Sequence, residues 1–152
     1  MDEKEILRAK LRATPRSVFL SVKFSGALAI LMTARILWTY QQAGKPLSRG
    51  LFYAGLVSLM LVANGISLLN KSKMGYVVIL VFGALPALGS FVLAVHAFTL
   101  VFVGTRADDQ IGLVTSLIGS LQFVTIVALL TTLLRREARE WVWKDVAEVP
   151  AA

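Results

Sequence analysis

The chain has 152 residues, 57% of them hydrophobic and 16% charged, with a net charge of +7. Soluble domains carry about 25% charged residues, so this composition excludes an ordinary water-soluble domain. The absence of cysteine excludes disulfides, cysteine-ligated zinc and thiol nucleophiles.

The nine acidic residues are Asp2, Glu3, Glu5, Asp108, Asp109, Glu137, Glu140, Asp145 and Glu148, so none lies between Ile6 and Ala107. A long helix without a charged outer face belongs in lipid, and crossing the hydrocarbon takes about 20 residues. Four apolar runs are long enough: 18–40, 51–69, 76–103 and 111–134. The expected fold is an all-α integral membrane protein, with four transmembrane helices forming an up-down bundle over 15–134. Short amphipathic helices are expected at both ends, a cytoplasmic segment at 1–14 and a basic interfacial helix at 135–152.

In chain order, Leu7 and Leu11 share one helical face, and Glu5, Arg8 and Arg12 share another. The alternating charges of this stretch do not suit a secretory leader, and 18–40 reads as an uncleaved first span. Thr14 is expected as N-cap and Pro15 as the first helical residue. The stretch 41–50 contains Gly44, Pro46 and Gly50 and reads as a polar loop. The second span ends at the tight turn Asn70-Lys71-Ser72-Lys73. The third is longer than ~30 Å of hydrocarbon requires, which implies tilt or a kink at Pro86. Residues 105–110 turn the chain again, with Asp108 or Asp109 placed to cap the fourth span. Beyond it Leu134, Ala138, Trp141, Val142, Val146 and Val149 fall on one helical face, largely clear of Arg135, Arg136, Arg139 and Lys144. This pattern predicts a helix lying in the membrane interface, anchored by Trp and Arg.

The positive charges set the orientation. Lys4, Arg8, Lys10, Arg12, Arg16, Lys71, Lys73, Arg135, Arg136, Arg139 and Lys144 fall on one side, against Lys45, Arg49 and Arg106 on the other. The positive-inside rule then places both termini in the cytoplasm, in a bacterial inner membrane. The same residues implicate anionic lipid head groups at the cytoplasmic ends as partners, rather than nucleic acid. One internal similarity stands out. Gly26-Ala27-Leu28 recurs as Gly83-Ala84-Leu85, and Gly55-Leu56-Val57 recurs at the same spacing as Gly112-Leu113-Val114. A duplicated two-span hairpin would produce it.

Four polar side chains interrupt the spans: Arg35, Asn64, His96 and Gln122. Arg35, flanked by Trp38 and Tyr40, fits either a snorkelling side chain or an anion contact. His96 has no cysteine or intramembrane carboxylate with which to build a metal site, and it is expected to hydrogen-bond between helices, with Thr33, Thr39 or a backbone carbonyl as partner. Arg35 and His96 form the candidate ligand-binding pair, because an anion could bridge them. Asn64 and Gln122 read as interhelical polar contacts. Gly112, Ser116 and Ser120 on the fourth span, with Gly83 and Ala87 on the third, mark close-packing faces.

No catalytic constellation, metal set or cofactor motif is legible. Small multidrug-resistance transporters also have four short spans, but their first-span glutamate has no counterpart in 18–40. The expected function is therefore non-enzymatic: a scaffold, accessory subunit or interaction partner, acting with a protein partner or a second copy of itself. A homo-oligomeric channel is the first alternative. A lipid- or anion-binding carrier using Arg35 and His96 is the second.

Overall fold

A computed structural model describes residues 13–103 and 110–143. Residues 1–12, residues 104–109 with the expected cap Asp108 or Asp109, and residues 144–152 fall outside the described residues. Within them the elements are α1 (Arg16–Gln42), α2 (Leu47–Leu69), α3 (Lys73–Val103), α4 (Gln110–Leu134) and α5 (Arg136–Trp143). The first four are long and apolar enough to cross a membrane. Large apolar side chains such as Ile30, Leu59, Leu85 and Leu88 stand exposed along them, Leu88 at 77%. A hydrocarbon solvent suits such a surface.

The helix ends follow from local chemistry. Pro15, rather than Thr14, is the N-cap of α1, in an extended conformation (φ −57°, ψ 143°). Its carbonyl accepts the first helical bond, from the Phe19 N–H at 3.1 Å. The expected loop over 41–50 shrinks to 43–46, because α1 runs on through Gln42 and α2 begins at Leu47. Gly44 makes the short turn possible. At φ +64° it takes the left-handed conformation that ends a Schellman motif, with Lys45 N–H on the Tyr40 carbonyl and Gly44 N–H on the Gln41 carbonyl. Gln41 and Gln42 are good helix formers, so hydropathy stopped short of where the helix stops.

The α2–α3 turn repeats the device with a non-glycine residue. Lys71 adopts φ 57°, and Lys71 and Ser72 donate to the Leu68 and Ser67 carbonyls. Ser72 then caps α3, its hydroxyl accepting from the Gly75 N–H at 3.1 Å. α3 runs its full length with Pro86 inside it, at the cost of one backbone hydrogen bond.

The four long helices pack as two antiparallel pairs, α1 on α2 and α3 on α4, joined chiefly through α1 and α4; the α2–α3 contact is the smallest between neighbours. Small residues set the closest approaches. Gly65 leaves room for Ser25, whose hydroxyl would lie 3.1 Å from an added Cβ, while a Cβ on Gly75 would overlap the Ser67 hydroxyl. A Cβ on Gly119 would crowd Leu93 of α3, one position from the expected Ser120; of the expected face Ser116 is fully buried, while nothing would lie near a Cβ on Gly112. The internally similar glycines also differ in surroundings, since Gly83 packs on Leu130 and Gly26 faces open space.

At the end where α1 starts and α4 finishes, the core of Val18, Leu68, Tyr76, Ile79, Leu129 and Leu133 is closed by α5. Ala138 and Val142 are buried there, and the Trp141 indole donates to the Leu68 carbonyl at 3.0 Å. Of the apolar stripe expected to lie on lipid, Ala138, Trp141 and Val142 thus pack against the protein, while Leu134 stands exposed. The outer side of α5 shows Arg136, bonded to Glu140 at 2.6 Å, an exposed i,i+4 pair that raises the Arg136 pKa above the ordinary arginine value. Lys71 and Lys73 lie over the Trp141 and Trp143 rings, at 4.9 and 5.3 Å.

Candidate functional site

The seam of α1 with α4 and α5 is a ladder of polar contacts. Ser17 donates to Glu137 at 3.2 Å, Ser21 to Thr132 at 2.9 Å, Arg35 to Gln122 at 2.9 Å, and Trp38 to Thr115 at 3.2 Å. Ser17, Ser21 and Ser25 are each almost wholly buried. Their four-residue spacing places them on one face of α1, where small side chains let α2 and α4 come close. Ser25 donates to the Leu61 carbonyl of α2 at 2.7 Å. The stripe is visible in the sequence only by the same four-residue spacing of small residues that marks the fourth span, because serine is nearly neutral in hydropathy.

The centre of the ladder is Arg35 with Gln122. Gln122 is fully buried, and its carbonyl oxygen accepts from the guanidinium Nη1. Its amide nitrogen is buried without a hydrogen-bond partner. Phe91 and Phe123 meet with ring centroids 5.4 Å apart, so Ser90 and Gln122, each one residue away, lie at one depth. Ser90 is also fully buried, and its hydroxyl has no partner. Buried polar groups are nearly always satisfied, so two spare donors at the depth of a cation mark a place of unusual polarity.

Arg35 also lines a cavity of about 240 Å³ together with Met32, Ile36, Thr39, Tyr40 and Pro86. On α1 these positions follow helical spacing and form one continuous strip. Pro86 supplies the opposite wall from α3. Since α1 and α3 are not ring neighbours, the cavity lies between the two helix pairs. Its walls are mostly carbon, and Arg35 is its one charged lining residue.

The other expected site residues go elsewhere. His96 is exposed on α3. The buried positions near it, Ser90 and Ala97, lie seven residues apart and face α4, which turns His96 away by one helical step. Thr33, an expected partner, instead meets Ser58 of α2 at 2.6 Å, and Thr39 donates to the Arg35 carbonyl. Asn64 donates to the Met60 carbonyl of its own helix at 2.7 Å, so its amide N–H is spent within α2. Arg35 is thus brought to Gln122, while His96 stays outside. Among the described residues no cluster of His, Asp or Glu suits a metal ion.

Comparison with protein-family models, curated proteins and solved structures finds no match to this chain. The cavity lining offers one guanidinium, with the Thr39 and Tyr40 side chains, beside an otherwise apolar wall. A guanidinium presents its N–H groups as a planar fork that matches carboxylate and phosphate.

Proposed function

We propose that this chain is a non-enzymatic integral membrane protein, a four-helix bundle in a bacterial inner membrane with both termini cytoplasmic. It acts as an accessory subunit or scaffold for a protein partner. One observation carries the reading: apart from Asn64 and the unpartnered Ser90, Ser116 and Gln122 amide nitrogen, the deepest polar groups bond one helix to another. Ser21 bonds Thr132, Thr33 bonds Ser58, Arg35 bonds Gln122, and Asn64 bonds its own helix. The outward faces are left apolar, so recognition by surface packing is the resource this chain offers.

Purification from native membranes in mild detergent or in nanodiscs tests it. A defined protein partner at fixed stoichiometry is the expected result; the chain recovered alone would reject the reading. A channel would need Asn64 and Gln122 along one wet path, yet these two amides bond separately, one inside α2 and one to α1. Ion flux through liposomes holding only this protein would favour the channel over the scaffold.

A further inference from the structure

We propose that the cavity beside Arg35 binds the anionic head of a membrane amphiphile, with the guanidinium holding the head and the α1–α3 wall taking the first carbons of its chain.

Arg35 does not carry its charge out to water. A snorkelling arginine lays its stem along the helix and carries its charge to water. Arg35 instead reaches sideways to α4 and bonds the fully buried Gln122 at 2.9 Å. The charge is therefore fixed between helices. No Asp or Glu occurs anywhere in α1, α2, α3 or α4, so no carboxylate from the spans can neutralise it. Gln122 supplies only a dipole. A low-dielectric site strengthens an added anion's attraction and penalises a lone cation.

The remaining features fit such an anion. The Arg35 bond to Gln122 uses one of the five guanidinium N–H groups, and the rest form a planar fork suited to phosphate or carboxylate. Gln122 holds Arg35 from outside the cavity lining, so the guanidinium is the group offered to the anion. The wall is Met32, Ile36, Tyr40 and Pro86, with Thr39, whose hydroxyl is spent on the Arg35 carbonyl, and this largely carbon surface suits methylene groups better than a hydrated inorganic ion. At about 240 Å³ the cavity is smaller than the roughly 300–1,000 Å³ of sites enclosing a whole drug-sized ligand. It therefore takes a head group and the start of a chain, with the rest of the chain in the bilayer. The inference concerns a ligand and not a partner protein; recovery of the chain without a partner would end the scaffold reading and leave this one standing.

Thermal unfolding of the full chain in a mild non-ionic detergent tests it, with short-chain phosphatidic acid, phosphatidylcholine of the same chains, and inorganic phosphate as probes. At about 100 times its Kd, phosphatidic acid should raise Tm by roughly 5–10 °C. Phosphatidylcholine and inorganic phosphate should leave Tm unchanged. Arg35→Gln should abolish the shift, and Arg35→Lys should keep part of it. Met32→Trp, which fills the cavity and retains the charge, should also abolish it, and this variant stands if Arg35→Gln fails to fold. Equal shifts in wild type and both blocking variants would overturn the proposal, by moving the binding to the basic surface of α5. So would inorganic phosphate matching phosphatidic acid, since the apolar wall would then play no part. No shift with any probe would overturn it outright.

Discussion

Arg35 of α1 and Gln122 of α4 share a 2.9 Å charge-assisted hydrogen bond at a depth where Gln122 has no solvent exposure. Each side chain makes the other tolerable. The amide oxygen gives the guanidinium an acceptor, and the guanidinium gives a buried amide half of its hydrogen bonding. Removing one partner should therefore cost more than removing both.

Gln122→Leu, which strands Arg35, should destabilise the protein by about 1–3 kcal/mol. Arg35→Leu should cost less, because it also removes a charge whose insertion is unfavourable. The double variant should recover part of the Gln122→Leu loss, with a coupling of about 0.6–1.7 kcal/mol as for other interhelical bonds in membranes. Denaturation in mixed micelles measures all three. Strictly additive effects would show that the two side chains do not act together.

The α2–α3 turn depends on a missing side chain. A Cβ at Gly75 would overlap the Ser67 hydroxyl and approach the Asn64 carbonyl to 3.2 Å. Gly75→Ala should cost about 1–3 kcal/mol through overpacking. In a Ser67→Ala background most of that cost should vanish, because the first obstacle is the hydroxyl, and Ser67 spends it only on its own helix's Asn64 carbonyl. Thermal stability of the two single variants and the double variant decides this. If the penalty persists without the hydroxyl, the Asn64 backbone sets the limit.

The four long helices were legible because an acid-free stretch leaves few other readings, and because Pro15, Gly44, Pro46 and the 70–73 turn punctuate it. Their ends were less legible, since Gln41, Gln42, Ser48 and Arg49 are polar yet sit comfortably in a helix. Arg35 and Gln122 were each visible as polar interruptions. Their pairing was not, because it depends on which face α1 turns to α4. That face is set by the Ser17-Ser21-Ser25 stripe, and serine scores as nearly neutral in hydropathy. His96 stood out for its chemistry alone; its exposure follows from the neighbouring Ser90 and Ala97 facing α4, a matter of one helical step.

The α5 helix should behave as part of the folded protein. Trp141→Phe keeps an aromatic side chain but removes the indole N–H from the Leu68 carbonyl, which also accepts from Lys71, and puts a smaller ring against the core. The carbonyl is not orphaned, so the lost hydrogen bond should cost about 1 kcal/mol, with the smaller ring adding to it. Truncation after Leu134 should cost more, since it uncovers the core that Ala138 and Val142 close. Trypsin supplies a second reading. Its sites at Arg135, Arg136 and Arg139 should be cut more slowly in the wild type than in Trp141→Ala. Equal cleavage rates would place α5 away from the helices in solution.

Orientation is the final expectation, and here packing and charge agree. Ser17 reaches Glu137 and Ser21 reaches Thr132, which puts the start of α1 and the end of α4 at one end of the molecule. Lys71 and Lys73 lie over Trp141 and Trp143 at that same end. Lysines of the α2–α3 turn and arginines of α5 thus gather beside aromatic rings suited to a membrane–water interface, while Lys45 and Arg49 flank the opposite turn. Positive charge near span ends is retained in the cytoplasm. A fluorescent protein that matures only in the cytoplasm should therefore glow when fused after Ala152 and stay dark after Gly44. A phosphatase active only outside should report the reverse. Phosphatase activity at the carboxyl end would invert the whole assignment, because the Ser17–Glu137 contact prevents the two ends of the helical domain from lying on opposite faces.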